Sequence, residues 1–201
     1  MRCCRKVAGC FMSALTLSAC ASLPQGTAVS PGFVETYHNK SMALQQRAGF
    51  RPDDFSGAIS GRVEVQIPPD ATSSQRESYE AIRKTFADAL GETPIGRANP
   101  SARTLVMDVE ISDIDLASPT LNVLSTAALF VPLDTGAMTV STRYRDAAGN
   151  LQAIRMDRLA GSMMDLSGAF SASGRLRDEA DTWVALCGTW PGCVVPPKEE
   201  D

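Results

Sequence analysis

An alternating pattern over positions 105–111, with apolar residues at every second position and a break only at Val106, constrains the fold of this 201-residue chain more than any other feature. Apolar side chains stand at every second position: Leu105, Met107, Val109 and Ile111. A period of two residues is typical of a β-strand with one buried face. The phase changes at Ile114 and Leu116, which predicts a bulge or a strand end near Ser112 and Asp113. The chain is therefore expected to build its core on one face of a sheet.

Other segments carry the same pattern. Before Pro68, alternation with polar residues occurs at Val63, Val65 and Ile67. It returns later in the chain at Met138, Val140, Thr142 and Tyr144. The run Asp146–Asn150 (DAAGN) is typical of a turn, and Ile154 and Met156 then belong to a returning strand. Residues 138–156 are therefore predicted to form a hairpin.

Two helices are predicted beside these strands. The first begins at a capping box of Ser74 and Glu77 and ends at Gly91, and its apolar stripe consists of Tyr79, Ile82, Phe86 and Leu90. One side of the second, C-terminal helix is lined by Leu176, Ala180, Trp183 and Cys187. The order of elements predicts an α+β fold: a single small mixed or antiparallel sheet of about four strands, with two helices packed on one face.

The first nineteen residues have the composition of a targeting segment. Three basic residues precede the apolar stretch 7–19, which is shorter than the about 20 residues that a membrane-spanning helix needs. The stretch ends in Leu17-Ser18-Ala19-Cys20, which resembles the lipobox of a bacterial lipoprotein. This resemblance implies cleavage before Cys20 and lipid attachment to its sulfur. The alternative is an ordinary secretory signal cut after Ala21, whose small-x-small pattern also fits.

The lipobox also implies a compartment and a domain plan. Because Ala21 is not the aspartate that often marks inner-membrane retention, the lipid implies an outer-membrane anchor, with the domain facing the periplasm of a Gram-negative bacterium. Residues 20–49 are expected to form a lipidated tether and docking segment, since 21–32 are mostly small or polar. A loosely helical spacing follows at Phe33, Val34, Tyr37, Met42 and Leu44. The folded domain is expected to span residues 50–201.

The charge of the chain limits its partners. It has 19 Lys and Arg against 23 Asp and Glu. Because Arg2, Arg5 and Lys6 would leave with the signal peptide, 16 basic residues remain against 23 acidic ones, a net charge of −7. Such a charge disfavours nucleic acid and anionic membrane surfaces. The expected partners are the membrane, through the lipid on Cys20, and a protein of the cell envelope.

Two cysteines remain besides Cys20 once residues 1–19 are removed. Cys187 and Cys193 flank the turn-rich segment 188–192, and an oxidising periplasm favours a disulfide between them. A redox-active pair is more often spaced Cys-x-x-Cys, and two thiols without nearby histidines make a weak zinc site. The pair is therefore predicted to be a structural disulfide that closes a C-terminal loop.

Acidic side chains crowd one predicted strand and its end: Asp108, Glu110, Asp113 and Asp115. Arginines are assigned to the polar faces of the later hairpin, at Arg143, Arg145 and Arg155. If the hairpin lies beside the acidic strand, Asp108 and Glu110 face these arginines across the sheet as a solvated ladder of ion pairs. The alternative is a binding surface for a polar or anionic ligand on the same face.

The connection between residues 117 and 135 is long and apolar. Ser118 and Pro119 are suited to begin a helix, which Pro132 would end. One stripe of this helix would consist of Leu121, Leu124, Ala128 and Val131. The segment either closes the core or presents an apolar surface to a partner protein, a lipid or another subunit. These four residues form the candidate partner surface.

The sequence contains little that points to catalysis. His38 is the only histidine and lies near the tether, and no G-x-S-x-G elbow, phosphate-binding glycine loop or His/Cys cluster is present. We therefore expect a non-enzymatic protein without cofactor, metal or catalytic residues. A hydrolase that uses carboxylates is the alternative, with Asp108 and Glu110 as candidates, because paired carboxylates leave no spacing signature.

Three short runs carry a resemblance to a known family: Ser118–Ser125 (SPTLNVLS), Pro132–Gly136 (PLDTG) and Asp146–Asn150 (DAAGN). With the closing helix around Trp183, roughly residues 50–190 resemble a family of proteobacterial lipoproteins of unknown function. The resemblance implies an outer-membrane lipoprotein with a compact α/β domain, and it brings no catalytic residues. We expect a non-enzymatic binding or structural module of the envelope. The alternative is an accessory lipoprotein of a transport or efflux assembly that handles lipid or small apolar ligands.

Overall fold

The computed structural model describes residues 28–92, 103–116, 136–160, 174–188 and 190–196. Its strands are β1 (Phe33–His38), β2 (Met42–Arg47), β3 (Gly57–Val65), β4 (Thr104–Asp115), β5 (Ala137–Arg145) and β6 (Leu151–Ala160). They form one six-stranded sheet in the order β1-β2-β6-β5-β4-β3. The helices are α1 (Ser73–Glu92) and α2 (Gly174–Cys187), and short 3-10 turns occur at Pro52–Asp54 and Gly192–Val194. β3 and β4 are parallel and are connected through α1, whereas the other neighbouring strands are antiparallel.

The core lies between the sheet and the two helices. The alternating residues of β4 are fully or almost fully buried, as are the predicted stripes of both helices. The helices also pack on each other, and the ring centroids of Phe86 and Trp183 are 5.5 Å apart. The α+β class with a mixed sheet and two helices is therefore confirmed, but the sheet has six strands and not about four. Within the described ranges, no helix is long and apolar enough to cross a bilayer.

The two additional strands come from the segment that was predicted to dock as a helix. Residues 33–38 and 42–47 form a hairpin of strands β1 and β2, and β2 pairs with β6. Alternation is missing in β2 because both of its faces are covered, so that Met42, Ala43, Leu44 and Gln45 are all buried. On one face, the Gln45 side chain accepts a hydrogen bond from the Ser30 amide at 3.1 Å. The prediction of a helical docking segment was wrong, and the sheet begins before residue 50.

The turns between the elements mostly follow the sequence. The pairing of β4 with β5 shifts between Ser112 and Asp115, and Asp113 has a φ of +48°, so the predicted irregularity is confirmed. The predicted hairpin is also present: Asp146 directly follows β5, and its carboxylate accepts the amide N–H of Asn150 at 2.8 Å.

The N-terminal cap of helix α1 lies two residues earlier than predicted, at Thr72. The reciprocal pair is formed by Thr72 and Gln75, whose side chain accepts the Thr72 amide at 2.9 Å. The capping box of Ser74 and Glu77 was therefore wrong, because an equally suitable Thr-x-x-Gln sequence stands two residues before it. The helix also continues through Gly91 to Glu92.

Candidate functional site

A ladder of charged residues crosses the sheet face opposite the helices. Arg143 Nη1 lies 2.7 Å from Glu110 Oε2, and Arg145 Nε lies 3.4 Å from Asp108 Oδ2. This confirms that the β5–β6 hairpin lies beside the acidic strand β4. The ladder borders a shallow hollow of about 260 Å³ that Arg62 and Glu64 extend toward β3.

Both carboxylates of the ladder hold neighbouring strands together. The register of β3 shifts near Arg62, whose backbone N–H donates to Asp108 Oδ1 at 3.0 Å. Glu110 accepts hydrogen bonds from Gln66 and from Arg143. The bond from Gln66 and the nearby Arg143 charge together hold the pKa of Glu110 below its usual value, although burial opposes them. An ionised carboxylate that accepts two hydrogen bonds is poorly suited to act as a general acid near neutral pH.

A buried ion pair lies on the other face of the sheet, beneath α2. Arg155 and Asp157 are two residues apart on β6 and are only 4% and 5% exposed. They form a bidentate pair: Arg155 Nε donates to Asp157 Oδ2 at 2.7 Å and Nη2 donates to Oδ1 at 2.9 Å. The assignment of Arg155 to the polar face was wrong. The pairing register aligns Arg155 with Thr142, on the helix-covered face, whereas Ile154 aligns with Arg143.

This buried pair connects β6 to the C-terminal elements. Trp183 of α2 donates its indole N–H to Asp157 Oδ2 at 2.8 Å. Arg155 Nη1 donates to the Cys193 carbonyl, at a long 3.5 Å. The neighbouring β2 adds a bond of 2.6 Å from Gln46 Nε2 to the Val194 carbonyl. Strand β6 therefore positions both α2 and the turn at Gly192–Val194.

The same turn contains the predicted cysteine pair. The sulfur atoms of Cys187 and Cys193 lie at disulfide distance, and their Cα atoms are 4.8 Å apart. Both residues are buried within the core. The pair links the end of α2 to the 3-10 turn, which is the C-terminal loop that the sequence predicted.

A groove of about 320 Å³ opens beside this loop. Its described lining is apolar apart from Arg155, which is the one charged side chain among those residues: Met42, Arg155, Leu186, Pro191, Gly192, Val195 and Pro196. Leu186 is 53% exposed and Val195 is 39% exposed, so apolar side chains reach solvent at this point. We call this feature the C-terminal groove.

Two buried hydroxyl groups near Arg155 have no hydrogen-bond partner among the residues that the structure describes. They are Thr142 Oγ1 and Tyr144 Oη, both on β5. Thr142 is the direct cross-strand neighbour of Arg155. Burial raises the pKa of the Tyr144 phenol, which therefore keeps its proton and remains a donor. A buried polar atom without a partner is uncommon in a folded protein.

The C-terminal groove and its Arg155–Asp157 base were not predicted from the sequence. One signal was available, since residues i and i+2 of a strand share a face, and an Arg-x-Asp pair can neutralise itself there. The groove walls have no such signal, because they come from β2, α2 and the C-terminal loop. Only the fold brings these elements together.

Other predicted sites lie outside the described residues. They are the lipid-attachment residue Cys20 and the candidate partner surface of Leu121, Leu124, Ala128 and Val131. In the ranges that the structure does describe, His, Cys, Asp and Glu form no group of three or more suited to hold a metal ion.

Comparison with known proteins adds little to this geometry. No protein-family model matches the chain, and no curated protein matches it. Two similar solved structures are PelC dodecamers from Paraburkholderia phytofirmans, one of them of a point variant. The variant is 9% identical with a TM-score of 0.36, and the other is 11% identical with a TM-score of 0.35. Each comparison covers 74% of this chain and 98% of the PelC chain.

Proposed function

We propose that this protein is a lipid-anchored, non-enzymatic binding module of the bacterial cell envelope. The anchor is the lipid on Cys20, and the domain faces the periplasm from the outer membrane. Two features of the chain support this: the lipobox-like Leu17–Cys20 run, and a cysteine pair that would persist as a disulfide in an oxidising compartment.

The C-terminal groove is the observation that carries the binding role. Apolar side chains that reach solvent together mark contact sites more often than isolated exposed residues do. Here Leu186 and Val195 stand at the mouth of a concave surface whose other wall is Met42 of the sheet. The cysteine pair fixes that surface, as do the hydrogen bonds that Arg155 and Gln46 donate to backbone carbonyls of the C-terminal turn. A rigid concave apolar surface loses little conformational entropy on binding.

The charged ladder gives less support to the alternative of a hydrolase. A carboxylate mechanism needs one protonated acid and one free base at a defined separation. Asp108 instead accepts the Arg62 amide, and Glu110 is held ionised between Gln66 and Arg143. These bonds favour a structural role for both residues.

The second candidate function is an accessory lipoprotein of a transport or efflux assembly that handles lipid or small apolar ligands. The size of the groove favours small apolar ligands. At about 30 Å³ for each water-sized atom, 320 Å³ corresponds to about ten non-hydrogen atoms. That is the scale of a small apolar ligand, which would bury far less surface than the about 800 Å² per partner of a standard protein interface. The groove therefore suits the handling of small ligands.

Two experiments test the two halves of the proposal. Growth with an alkyne-tagged palmitate should label the wild-type chain and leave Cys20→Ser unlabelled; labelling of both proteins would refute the anchor site.

A photo-crosslinking residue at Leu186 should form a defined adduct in living cells, identified by mass. The matched control is the same residue at Asp178, an exposed position on α2 that does not line the groove. Equal adducts, or none, at the two positions would refute a binding role for the groove.

A further inference from the structure

The two faces of the sheet differ in what packs on them. Both described helices pack on one face, and we call the other, which carries Glu110 and Arg143, the ladder face. Gln45 of β2 also belongs to the ladder face, because it aligns with Ile154, which in turn aligns with Arg143. Directly paired residues of neighbouring strands place their side chains on the same face. The contacts of Gln45 therefore show what lies over the ladder face at β2.

The described chain enters the domain over this face. Gln45 Oε1 accepts a hydrogen bond from the Ser30 amide at 3.1 Å, and Gln45 Nε2 donates to the Ala28 carbonyl at 3.4 Å. The Gln45 side chain is buried. Ala28 is also the first residue of the described chain. The segment that leads back to Cys20 therefore starts on the ladder face.

This segment is short compared with the thickness of the domain. Cys20 lies eight residues before Ala28. Eight residues span at most about 26–29 Å when fully extended, and an unstructured chain of that length averages about 14–17 Å. A sheet with a helix layer on it is about 20 Å thick, because packed layers lie about 10 Å apart and a helix is about 10–12 Å wide. With the helices toward the membrane, the segment would have to pass around β1 and cross that thickness, close to its full extension. With the ladder face toward the membrane, it needs no such stretching.

The charges of the ladder and its extension suit a surface of zwitterionic lipid. They form three ion pairs, whose charges cancel: Arg143–Glu110, Arg145–Asp108 and Arg62–Glu64. Zwitterionic headgroups also carry one negative phosphate and one positive amine. A balanced surface can approach them without the repulsion that an acidic surface meets at anionic lipid.

We propose that the ladder face is the membrane-facing surface of this domain, held against zwitterionic headgroups by the short segment between Ala28 and the lipid on Cys20. The C-terminal groove then opens away from the membrane, because its residue Met42 aligns with the buried Asp157 on the helix-covered face. This inference rests on the proposed lipid anchor and adds the orientation of the anchored domain.

Fluorescence quenching by headgroup-labelled lipid tests this orientation. The full lipidated chain is placed in phosphatidylcholine nanodiscs containing a lipid with a nitroxide on its headgroup, and a bimane label is attached to one introduced cysteine without reductant. Ser141→Cys places the label on the ladder face, because Ser141 aligns with Glu110. Ile59→Cys does the same on β3, where Ile59 is exposed and its neighbour Ala58 lies in the core. Asp178→Cys places the label on an exposed position of α2 as the matched control.

We expect the nitroxide lipid to reduce the fluorescence of the labels at Ser141 and Ile59 and to leave the label at Asp178 unchanged. Equal quenching on the two sides, or stronger quenching at Asp178, would overturn the orientation.

A longer tether tests the cause of the orientation. With about sixteen Gly and Ser residues inserted after Gly26, an unstructured tether averages about 24–29 Å, enough to cross the domain without stretching. The difference in quenching between Ser141 and Asp178 should therefore shrink. An unchanged difference would overturn the role of the tether.

The orientation and the anchor fail differently. If alkyne-tagged palmitate labels Cys20 but the two sides are quenched equally, the anchor stands and the orientation is wrong. If palmitate does not label Cys20 and none of the three positions is quenched, the proposed anchor itself is wrong.

Discussion

Among single residues, Asp157 is the one whose loss should cost the most stability. Asp157→Asn would leave Arg155 buried without its counter-charge, and breaking a buried pair in this way costs about 3–5 kcal/mol. An exposed pair contributes far less, so the matched change Arg143→Gln in the ladder should cost about 0–1 kcal/mol. Urea unfolding of the two variants measures the difference. A loss below about 1 kcal/mol for Asp157→Asn would show that water reaches the pair.

Gly61 is a second position where the structure predicts whether a substitution raises or lowers the stability of the fold. A Cβ atom on Gly61 would lie 2.5 Å from Asp108 Oδ1 and 2.7 Å from Val106 Cγ1. Gly61→Ala should therefore destabilise the protein by about 1–3 kcal/mol, as overpacking does. Gly91→Ala is the control, because its Cβ would meet nothing within 4 Å and Ala favours a helix by up to about 1 kcal/mol. Thermal unfolding should shift in opposite directions for the two variants.

Glu110 should make the unfolding free energy of the protein depend on pH in the acidic range. Its pKa is lower in the folded chain than in the unfolded one, so it stabilises the fold above the ordinary value of about 4.5. This contribution is lost as the pH falls through the folded pKa. Unfolding free energy should fall less steeply below about pH 4.5 in Glu110→Gln than in the wild type. Because Glu110 is partly exposed, we expect a difference below about 1 kcal/mol. Glu64→Gln, at a more exposed ion pair, should follow the wild-type curve.

At the scale of elements, the C-terminal loop depends on its cysteine pair. Closing a loop of this length stabilises a fold by about 2–2.5 kcal/mol in the chain-entropy model. The double variant Cys187→Ala with Cys193→Ala should lose about that amount, measured by urea unfolding under oxidising conditions. Reductant should destabilise the wild type and leave the double variant unchanged. A wild type that does not respond to reductant would contradict a disulfide at this position.

The elements that the sequence predicted well are those with one buried face and one solvent-exposed face. Strand β4 and helix α1 are of this kind, so the positions of Leu105 or Phe86 could be read from periodicity alone. Strand β6 could not, because its charged residues Arg155 and Asp157 neutralise each other in the core while Ile154 lies on the ladder face. Strand β2 also lacks a pattern, since residues on both of its faces are covered.

For the molecule as a whole, the structure predicts where a stable chain must begin. A chain that starts at residue 50 would lack β1 and β2, so β6 would become an edge strand next to the buried pair. The fully buried Ala43 and Leu44 would also be missing. We expect this chain to lose cooperative urea unfolding and a chain that starts at residue 28 to keep it. Cooperative unfolding of the shorter chain would mean that the N-terminal hairpin is dispensable.

The pairing of β2 with β6 also has a consequence for the order in which the molecule folds. Met42 aligns with Asp157, so this contact joins positions more than a hundred residues apart in the chain. Closing so long a loop is entropically costly and belongs to the slow, non-local steps of folding. When the chain emerges N-terminus first, the hairpin of β1 and β2 therefore keeps its β2 edge unpaired until β6 has followed. Until then, the unpaired backbone groups of β2 are exposed to pairing with other chains.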